Sequence, residues 1–433
     1  MARTLGMSPS VSSPASTARI LGASLAGTAV EFFDFYIYAT AASLVFGPLF
    51  FPSSSASAQL LAAYATFSVA FFARPLGAVA FGHFGDRIGR KSTLVVSLLL
   101  MGGSTFAVGL LPGYAVLGWV APFFLCVLRF GQGFGLGGEW GGAALLAVEN
   151  APPEKRARYG IFPQLGAPVG FIAANGLYLL IGLFLNRDAF LSFGWRLPFL
   201  MSSVLVGLGL WVRLRLSETP AFAALVEHGP QKGVPLVSLL SHHARPTLFG
   251  ALGVICCFAL FYLSTAFALG YGVTTLKYPR NAFLGVQLGA MVFLALGIWL
   301  SGEASDRWGP RRVLAAGCAA TIGAGFVYAP LMASGSLVGV FSILSLALFI
   351  MGFTYGPLSA WLSDLFPARV RYSGTSVAFN VGGVLGGALT PILAQMLASQ
   401  GGLKLVGLYL SAAGALSLIG VAAAGKGAKI QEL

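Results

Sequence analysis

Charged residues are scarce in this sequence of 433 amino acids. Asp, Glu, Lys and Arg together make up 9% of the chain, whereas 57% of its residues are hydrophobic and the mean hydropathy is +0.84. Soluble domains carry about 25% charged residues on average. The shortage of charge, together with recurrent apolar runs, therefore excludes a soluble globular protein.

Residues for disulfides, metal sites and active sites are also few or badly spaced. The four cysteines all fall within apolar runs, which indicates packing: Cys126, Cys256, Cys257 and Cys318. His242 and His243 are adjacent in a polar segment and lack the spacing of metal ligands. No cluster of acidic, histidine or serine residues resembles a catalytic centre. We therefore expect neither an enzyme, nor a metal site, nor a cofactor.

Long apolar runs recur along the whole chain, and each is long enough to cross a hydrocarbon layer of about 30 Å. We number the predicted helices α1 to α12 in chain order. They cover about 18–47, 57–82, 91–112, 118–149, 158–186, 193–216, 246–274, 281–303, 311–333, 337–364, 373–398 and 403–425. The pattern predicts an all-α membrane protein with twelve transmembrane helices. We expect an N-terminal six-helix bundle (1–216), a cytoplasmic linker (217–245) and a C-terminal six-helix bundle (246–433).

The net charge of +13 is distributed unevenly along the chain. Most of the 26 basic residues fall in segments on one side of the predicted membrane, and the opposite side carries only Arg187, Arg196, Lys277, Arg280 and Lys404. Basic residues concentrate on the cytoplasmic side of membrane proteins. We therefore expect both termini in the cytoplasm, insertion into the inner (plasma) membrane of a bacterium, and no nucleic-acid partner.

Two short motifs each occur twice at a similar spacing. Asp86-Arg87-x-Gly89 returns 220 residues later as Asp306-Arg307-x-Gly309, and Glu149-x-x-Pro152-x-x-x-Arg156 returns 215 residues later as Asp364-x-x-Pro367-x-x-x-Arg371. Both offsets are about half of the chain length. The two six-helix units are therefore parallel copies of one plan, an arrangement typical of transporters that rock one half against the other.

The first copy of the shorter motif is part of a longer signature. Gly-x-x-x-Asp-Arg-x-Gly-Arg-Lys at 82–91 resembles the signature loop of the major facilitator superfamily. The segments 74–77, 128–142 and 372–374 resemble its metabolite:proton symporter family, which includes shikimate, α-ketoglutarate, citrate and proline/betaine carriers. The resemblance covers nearly the whole chain, and it implies a transporter with a central site between its two halves.

In that superfamily the signature loop holds the cytoplasmic side closed and releases it when the carrier opens inward. The resemblance therefore assigns gating to both copies of the two motifs: Gly82, Asp86, Arg87, Gly89, Arg90, Asp306, Arg307, Arg311, Glu149, Arg156, Asp364 and Arg371. An acid such as Asp86 can lie opposite a helix N-terminus, where about half a positive charge stabilises it. The copies differ at one position, because Pro310 replaces the counterpart of Arg90.

Four charged residues lie inside the predicted helices. Glu31 and Asp34 are in α1, where an ionised side chain costs roughly 2.5–3.5 kcal/mol, and Arg74 and Arg129 are in α2 and α4. At about 1.5 Å per residue, Asp34 and Arg129 lie about 21 and about 16 Å from the outer ends of their helices, and Glu31 and Arg74 both about 25 Å. The matching depths predict two buried ion pairs, Asp34 with Arg129 and Glu31 with Arg74.

Further candidates share helix faces with these residues, and the resemblance implies that α1, α4, α7 and α10 line the cavity. We expect proton coupling by Glu31, Asp34 and Glu139. We expect substrate binding by Tyr38, Arg129, Gln132, Gln164, Tyr262, Thr265 and Tyr355. Gln164 rests on the resemblance alone. Glu139 fits a proton relay, a latch or a packing role equally well.

Protonation of Asp34 or Glu31 would leave Arg129 or Arg74 free to bind an anion through two parallel hydrogen bonds. We therefore expect a monomeric importer that couples a small organic acid to protons across the lipid bilayer. The residues leave three alternatives open: a permanent structural salt bridge, an importer of zwitterions such as proline or betaine, and an antiporter that exports metabolites or drugs.

Overall fold

The structure is a computed structural model that describes residues 14–52, 55–88, 90–137, 139–149, 151–215, 239, 241–367 and 370–424. Within those ranges the side chains of residues 14–20, 23, 82–94, 139, 146, 208–209 and 211–215 lie outside the description. Most of the predicted linker 217–245 is also outside it. The boundaries of the two bundles and the linker therefore stay predictions.

The described residues form twelve helical segments of membrane-spanning length. They are α1 (Pro14–Ala41, Ala42–Phe46 and Gly47–Phe50), α2 (Ala56–Ile88), α3 (Arg90–Leu110), α4 (Val120–Leu136 and Glu139–Glu149), α5 (Arg156–Phe184), α6 (Leu197–Arg215), α7 (Ala244–Tyr262, Leu263–Phe267 and Ala268–Thr274), α8 (Arg280–Trp308), α9 (Pro310–Met332), α10 (Leu337–Tyr355 and Leu358–Asp364), α11 (Arg371–Gly383, Val384–Ala388 and the first part of Leu389–Ala423) and α12 (the rest of Leu389–Ala423). Nine stretches of the described chain are long and apolar enough to cross a membrane; the last, Arg371–Ala423, holds α11 and α12, and α3 and α6 complete the twelve. The all-α membrane fold is therefore confirmed.

Two glycines mark turns between helices. Gly402 has φ +70°, a conformation that residues with a Cβ rarely adopt, and the chain turns there between α11 and α12. Gly309 has φ +88° and precedes Pro310, the first residue of α9. Proline suits the first helical position because an amide hydrogen there would have no partner in the helix. The second copy of the motif thus places proline where a helix begins.

The two halves repeat the same helix packing. In the first half α1 packs on α5, α2 on α4 and α3 on α6; in the second half α7 packs on α11, α8 on α10 and α9 on α12. Glycines allow the closest of these approaches, because a Cβ at Gly133 would overlap the Ala70 backbone, and one at Gly352 would overlap Gly297. Between the halves, α5 packs on α8 and α2 packs on α11.

Three helices widen for one turn into a π-helix, at Ala42–Phe46 in α1, Leu263–Phe267 in α7 and Val384–Ala388 in α11. The first two begin 221 residues apart, close to the spacing of the sequence repeat. A π turn interrupts the regular hydrogen-bond ladder of a helix, and such turns occur often at functional sites. These three turns face the boundary between the halves.

Candidate functional site

A cavity of about 690 Å³ lies between the two halves, bounded by α1, α2, α4 and α5 on one side and by α7, α10 and α11 on the other. Its walls are mostly aromatic: Phe32, Tyr36, Trp140, Phe258, Phe261, Tyr262, Tyr355 and Phe379. Of the lining residues that the structure describes, Glu31 and Arg74 carry charge. Mostly apolar walls with a few polar groups are typical of a small-molecule site.

Arg74 contributes a buried guanidinium to this cavity. Its central carbon lies 4.4 Å from the centre of the Phe35 ring and 4.9 Å from that of Phe71. Its Nε has no hydrogen-bond partner among the described residues. Glu31 lines the same cavity and attracts Arg74 electrostatically. A guanidinium with an unpaired donor is suited to a carboxylate ligand.

A second cavity, of about 170 Å³, lies inside the first half beside the central one. Asp34, Arg129 and Gln132 line it, and Glu31 and Leu136 line both cavities. The shared helix faces, together with the resemblance, predict Asp34 and Arg129 at the central cavity, but neither residue lines it. Both residues line the small cavity instead, and Glu31 lies where the two cavities meet.

Asp34 does not pair directly with Arg129, so the predicted ion pair is wrong. The Asp34 carboxylate accepts a hydrogen bond from Ser202 on α6, at 2.5 Å, and the Thr105 hydroxyl on α3 lies 3.5 Å away and donates more closely to the Met101 carbonyl, at 2.9 Å. Arg129 instead donates to Gln132 at 3.0 Å, and Gln132 donates to Thr105 at 2.7 Å. The acid and the base are therefore linked through two polar side chains.

Aromatic rings surround the Arg129 guanidinium and explain its distance from the acid. Its central carbon lies 4.0 Å from the centre of the Tyr38 ring, 4.2 Å from Phe35 and 4.9 Å from Phe67. Such cation–π contacts compensate in part for the loss of hydration. Tyr38 packs here and donates to Thr66 at 2.8 Å, so it lies outside both cavities.

The remaining predicted substrate ligands divide into two groups. Tyr262 and Tyr355 line the central cavity, and the Tyr355 hydroxyl has no partner among the described residues. Gln164 and Thr265 do not line it. Gln164 joins the halves, since it accepts from Trp140 at 3.0 Å and donates to Ser359 on α10 at 3.1 Å.

Reciprocal ion pairs join the halves at the end of the molecule where α5 and α11 begin, which we call the basic end. Arg156 pairs with Asp364 at 3.3 Å, and Arg371 pairs with Glu149 at 3.4 Å. Each copy of the longer repeat thus gives its acid to the arginine of the other copy. A pseudo-twofold relation between the halves produces this exchange.

Asp306 closes the same end by capping a helix of the other half. Its carboxylate accepts from the backbone amides of Ala157 and Arg158, at 3.0 and 3.3 Å, in the first turn of α5. The Arg158 side chain lies 3.7 Å from Asp306 and 3.8 Å from Glu303. Negative charge at a helix N-terminus is stabilising, as the sequence predicted for Asp86.

The other gating candidates differ in position. Arg311 donates to the backbone carbonyls of Val421 and Ala422 at the end of α12, within its own half, so it does not bridge the halves. Arg307 is exposed. Five candidates lie outside the described side chains, namely Gly82, Asp86, Arg87, Gly89 and Arg90, and so does Glu139.

The opposite end, which we call the far end, is joined by neutral hydrogen bonds. Tyr64 on α2 donates to the Ala266 carbonyl of α7 at 2.9 Å. Asn281 on α8 donates to the Gly182 carbonyl of α5 at 2.8 Å. Bonds between the halves therefore lie on both sides of the central cavity.

Sequence reasoning missed Ser202, Thr105 and Tyr64. Hydroxyl groups in membrane helices usually bond to neighbouring helices, so serine and threonine give no distinct signal. Ser202 and Thr105 become notable only when helix rotation places them beside Asp34. The pair Tyr64 and Ser68, one turn apart on α2, was the one available clue to a polar face.

Known proteins resemble the chain over most of its length. A family model described as Major Facilitator Superfamily matches residues 24–391. The inner membrane metabolite transport protein YhjE of Escherichia coli K12 is 48% identical over 93% of this chain and 92% of that protein. The shikimate transporter of the same strain is 39% identical over 90% of each chain. The proline/betaine transporter of Salmonella typhimurium is 34% identical over 92% of this chain and 81% of that protein.

A solved D-xylose-proton symporter has the same fold, with a TM-score of 0.71, 16% identity, and coverage of 96% of this chain and 98% of that one. The relatives are transport proteins and not enzymes. The fold, the internal repeat and the family match all indicate the same family. The chain belongs to the Major Facilitator Superfamily.

Proposed function

We propose that this transporter imports a small monocarboxylate together with protons across the inner membrane of a bacterium, with its basic end in the cytoplasm. One observation carries the proposal: Glu31 and Arg74, an acid and a base, line one cavity between the two halves. The names of the relatives support an organic acid or a zwitterion as the cargo. The distribution of basic residues supports the orientation.

The charge balance of the cavity favours one carboxylate. With Glu31 ionised, its charge compensates that of Arg74. Protonation of Glu31 leaves one positive charge, which a monoanion balances, whereas a dicarboxylate would bury an unpaired negative charge at a cost of several kcal/mol. Cargo and proton then bind together, as symport requires.

Two carboxyl groups are candidates for the proton. Glu31 reaches the central cavity and the small cavity, and Asp34 lies in the small one, bonded to Ser202. Because both acids line the small cavity, we assign proton entry and release to Asp34, which passes the proton to Glu31, and the protonation of Glu31 is coupled to cargo. Thr105 lies 3.5 Å from Asp34 and accepts from Gln132, which accepts from Arg129, so Asp34 and Arg129 belong to one polar cluster.

Uptake into proteoliposomes tests the proposal, with radiolabelled shikimate as the monocarboxylate probe and succinate as the dicarboxylate probe. We expect shikimate to accumulate at an internal pH above the external pH and to stop accumulating when a protonophore is added. Arg74→Gln should lower binding about tenfold to a hundredfold, because a hydrogen bond to a charged group is lost. Asp188→Asn, at an exposed acid near the far end, is the matched control. Uptake that ignores the proton gradient overturns the proposal.

A zwitterion such as proline is the second candidate, and the same pair of residues favours it. Its carboxylate would meet Arg74, and its cationic group would meet ionised Glu31 and the aromatic walls. The two candidates respond differently to Glu31→Gln. Binding of proline would be lost, whereas binding of a monocarboxylate would persist without coupling to protons.

A further inference from the structure

Ser202 holds the Asp34 carboxylate on the side of α6. The hydroxyl and the carboxylate are both buried, and their oxygens are 2.5 Å apart. The neighbouring Ser203 is exposed and donates to the Leu200 carbonyl of its own helix. The charged groups that share the small cavity with Asp34 are Glu31 on α1 and Arg129 on α4. Thr105 of α3 and Ser202 of α6 face Asp34 with hydroxyl groups, and Met101 of α3 adds an uncharged side chain to the same cavity.

We propose that Ser202 is a positioning residue that sets the pH at which Asp34 exchanges its proton. The inference rests on the proposed function, in which Asp34 binds the transported proton. A hydroxyl that donates to a carboxylate stabilises the ionised form. Without that donor, Asp34 keeps its proton until the pH is higher, and it releases the proton less readily on the cytoplasmic side.

The pH dependence of shikimate uptake tests this role. Ser202→Ala should move the half-maximal pH upward by about one unit, whereas Ser203→Ala and Ser202→Thr should keep the parent profile. A Ser202→Ala variant that is slower at every pH, with an unmoved half-maximal pH, overturns the role of Ser202. Asp34→Asn separates the two claims: proton-driven accumulation in that variant contradicts the proposed function itself.

A different feature lies in α7, where four consecutive backbone carbonyls of the π turn each accept a side-chain hydrogen bond. Leu263 accepts from Tyr328 at 3.2 Å, Ser264 and Thr265 both accept from Gln287 at 2.9 Å, and Ala266 accepts from Tyr64 at 2.9 Å and from Ser43 at 3.0 Å. The first three carbonyls bond within their own half. The fourth accepts its described side-chain bonds from the opposite half.

The π turn of α11, in the same half, also accepts one side-chain bond from the opposite half. Ser68 on α2 donates to the Ala388 carbonyl, in the π turn of α11, at 2.6 Å. Tyr64 and Ser68 are one helical turn apart, so one face of α2 donates to two π turns. Gly270 permits the approach, because a Cβ there would overlap the Tyr64 hydroxyl.

We infer that the π turns of α7 and α11 are the acceptor half of a latch that closes the far end. Each π turn presents a carbonyl sideways, α2 supplies a hydroxyl to both of these carbonyls, and Ser43 on α1 supplies a second one to Ala266. Opening of the far end breaks the bonds from Tyr64 and Ser68. The bonds from Tyr328 and Gln287 stay intact, since they hold the shape of the turn within one half.

Labelling of a native thiol tests the latch. Cys257 lines the central cavity, so a membrane-impermeant maleimide reaches it from outside intact cells only when the far end is open, and mass spectrometry of the peptide quantifies it. Tyr64→Phe should raise the labelling rate about threefold or more, and Tyr64→Phe with Ser68→Ala should raise it further. Tyr328→Phe removes a hydroxyl from the same π turn within one half, and it should label at the parent rate.

Gly270→Ala should also break the bond from Tyr64 to the Ala266 carbonyl, because the added Cβ displaces the Tyr64 hydroxyl without removing it. It should also raise the labelling of Cys257. The latch is contradicted if the Tyr64 and Ser68 variants label at the parent rate, or if Tyr328→Phe labels as fast as they do. Each variant is first required to elute as a single symmetric peak after purification.

Discussion

The two ends of this transporter are closed by different chemistry. Ion pairs and a helix cap join the halves at the basic end, where Arg156, Arg371 and Asp306 are partly exposed. At the far end, the buried hydroxyl of Tyr64 donates to a backbone carbonyl, and the Arg280 guanidinium packs over the Phe190 ring of the other half at 3.8 Å, a contact that involves no acidic partner. Exposed ion pairs contribute about 0–1 kcal/mol each, and a neutral hydrogen bond contributes about 1 kcal/mol. Neither end is held so strongly that it cannot open.

This contrast suggests how the two ends can alternate. The basic end consists of groups that water and ions solvate well when it opens. When the far end opens, the carbonyls of the π turns lose the buried hydroxyl groups that donate to them. Water must then donate to these carbonyls instead. The basic end is therefore expected to respond to salt, and the far end is not.

The largest effect is expected at the helix cap. Asp306→Ala removes the acceptor for two amides at the start of α5 and the partner of Arg158. Loss of a cap costs about 0.5–2 kcal/mol, so the basic end should open about tenfold more often. Labelling of Cys257 in inside-out vesicles measures this opening, and Asp188→Asn is the control. An unchanged rate would show that the cap does not hold the end closed.

Salt should have an intermediate effect, and on one end alone. At about 1 M ionic strength the Debye length falls to about 3 Å, which weakens exposed ion pairs. Cys257 labelling through the basic end should rise about twofold to threefold, while labelling through the far end should not change. Equal increases at both ends would remove the contrast between them.

The smallest effect is expected for the reciprocal pairs. Arg371→Glu places like charges together with Glu149, and it should raise labelling through the basic end about twofold. The swap Glu149→Arg with Arg371→Glu should restore the parent rate, because the pair is rebuilt in reverse. The same cycle at Arg156 and Asp364 should give a similar coupling, since the pseudo-twofold axis relates the two pairs. Strictly additive effects in either cycle would contradict direct pairing.

The sequence predicted the architecture well, because membrane thickness fixes helix length and buried charges stand out in apolar helices. A gating role for the acids and arginines of the longer repeat stays a prediction, and the structure adds that they form ion pairs with the opposite copy. It failed at Asp34, where helix depth was known but helix rotation was not. The choice between Arg129 and Ser202 as a partner depends on rotation of α1 by a fraction of a turn, which one sequence does not determine.

The π turns could not be predicted at all, since nothing in Leu263–Phe267 distinguishes it from a regular helix. Their acceptors are backbone carbonyls, which every residue has, so the interaction leaves no trace in residue type. Only the donor side chains are visible in the sequence, where Tyr64 and Ser68 lie on one face of α2.

Proton movement measured beside cargo movement tests the central claim most directly. Proteoliposomes are loaded with a pH-sensitive dye, and shikimate is added outside without any imposed gradient. The parent should acidify the interior as shikimate enters, and the double variant Glu31→Gln, Asp34→Asn should exchange labelled for unlabelled shikimate without acidification. Acidification and accumulation by the double variant at the parent level would contradict a transport cycle that depends on these two carboxyl groups.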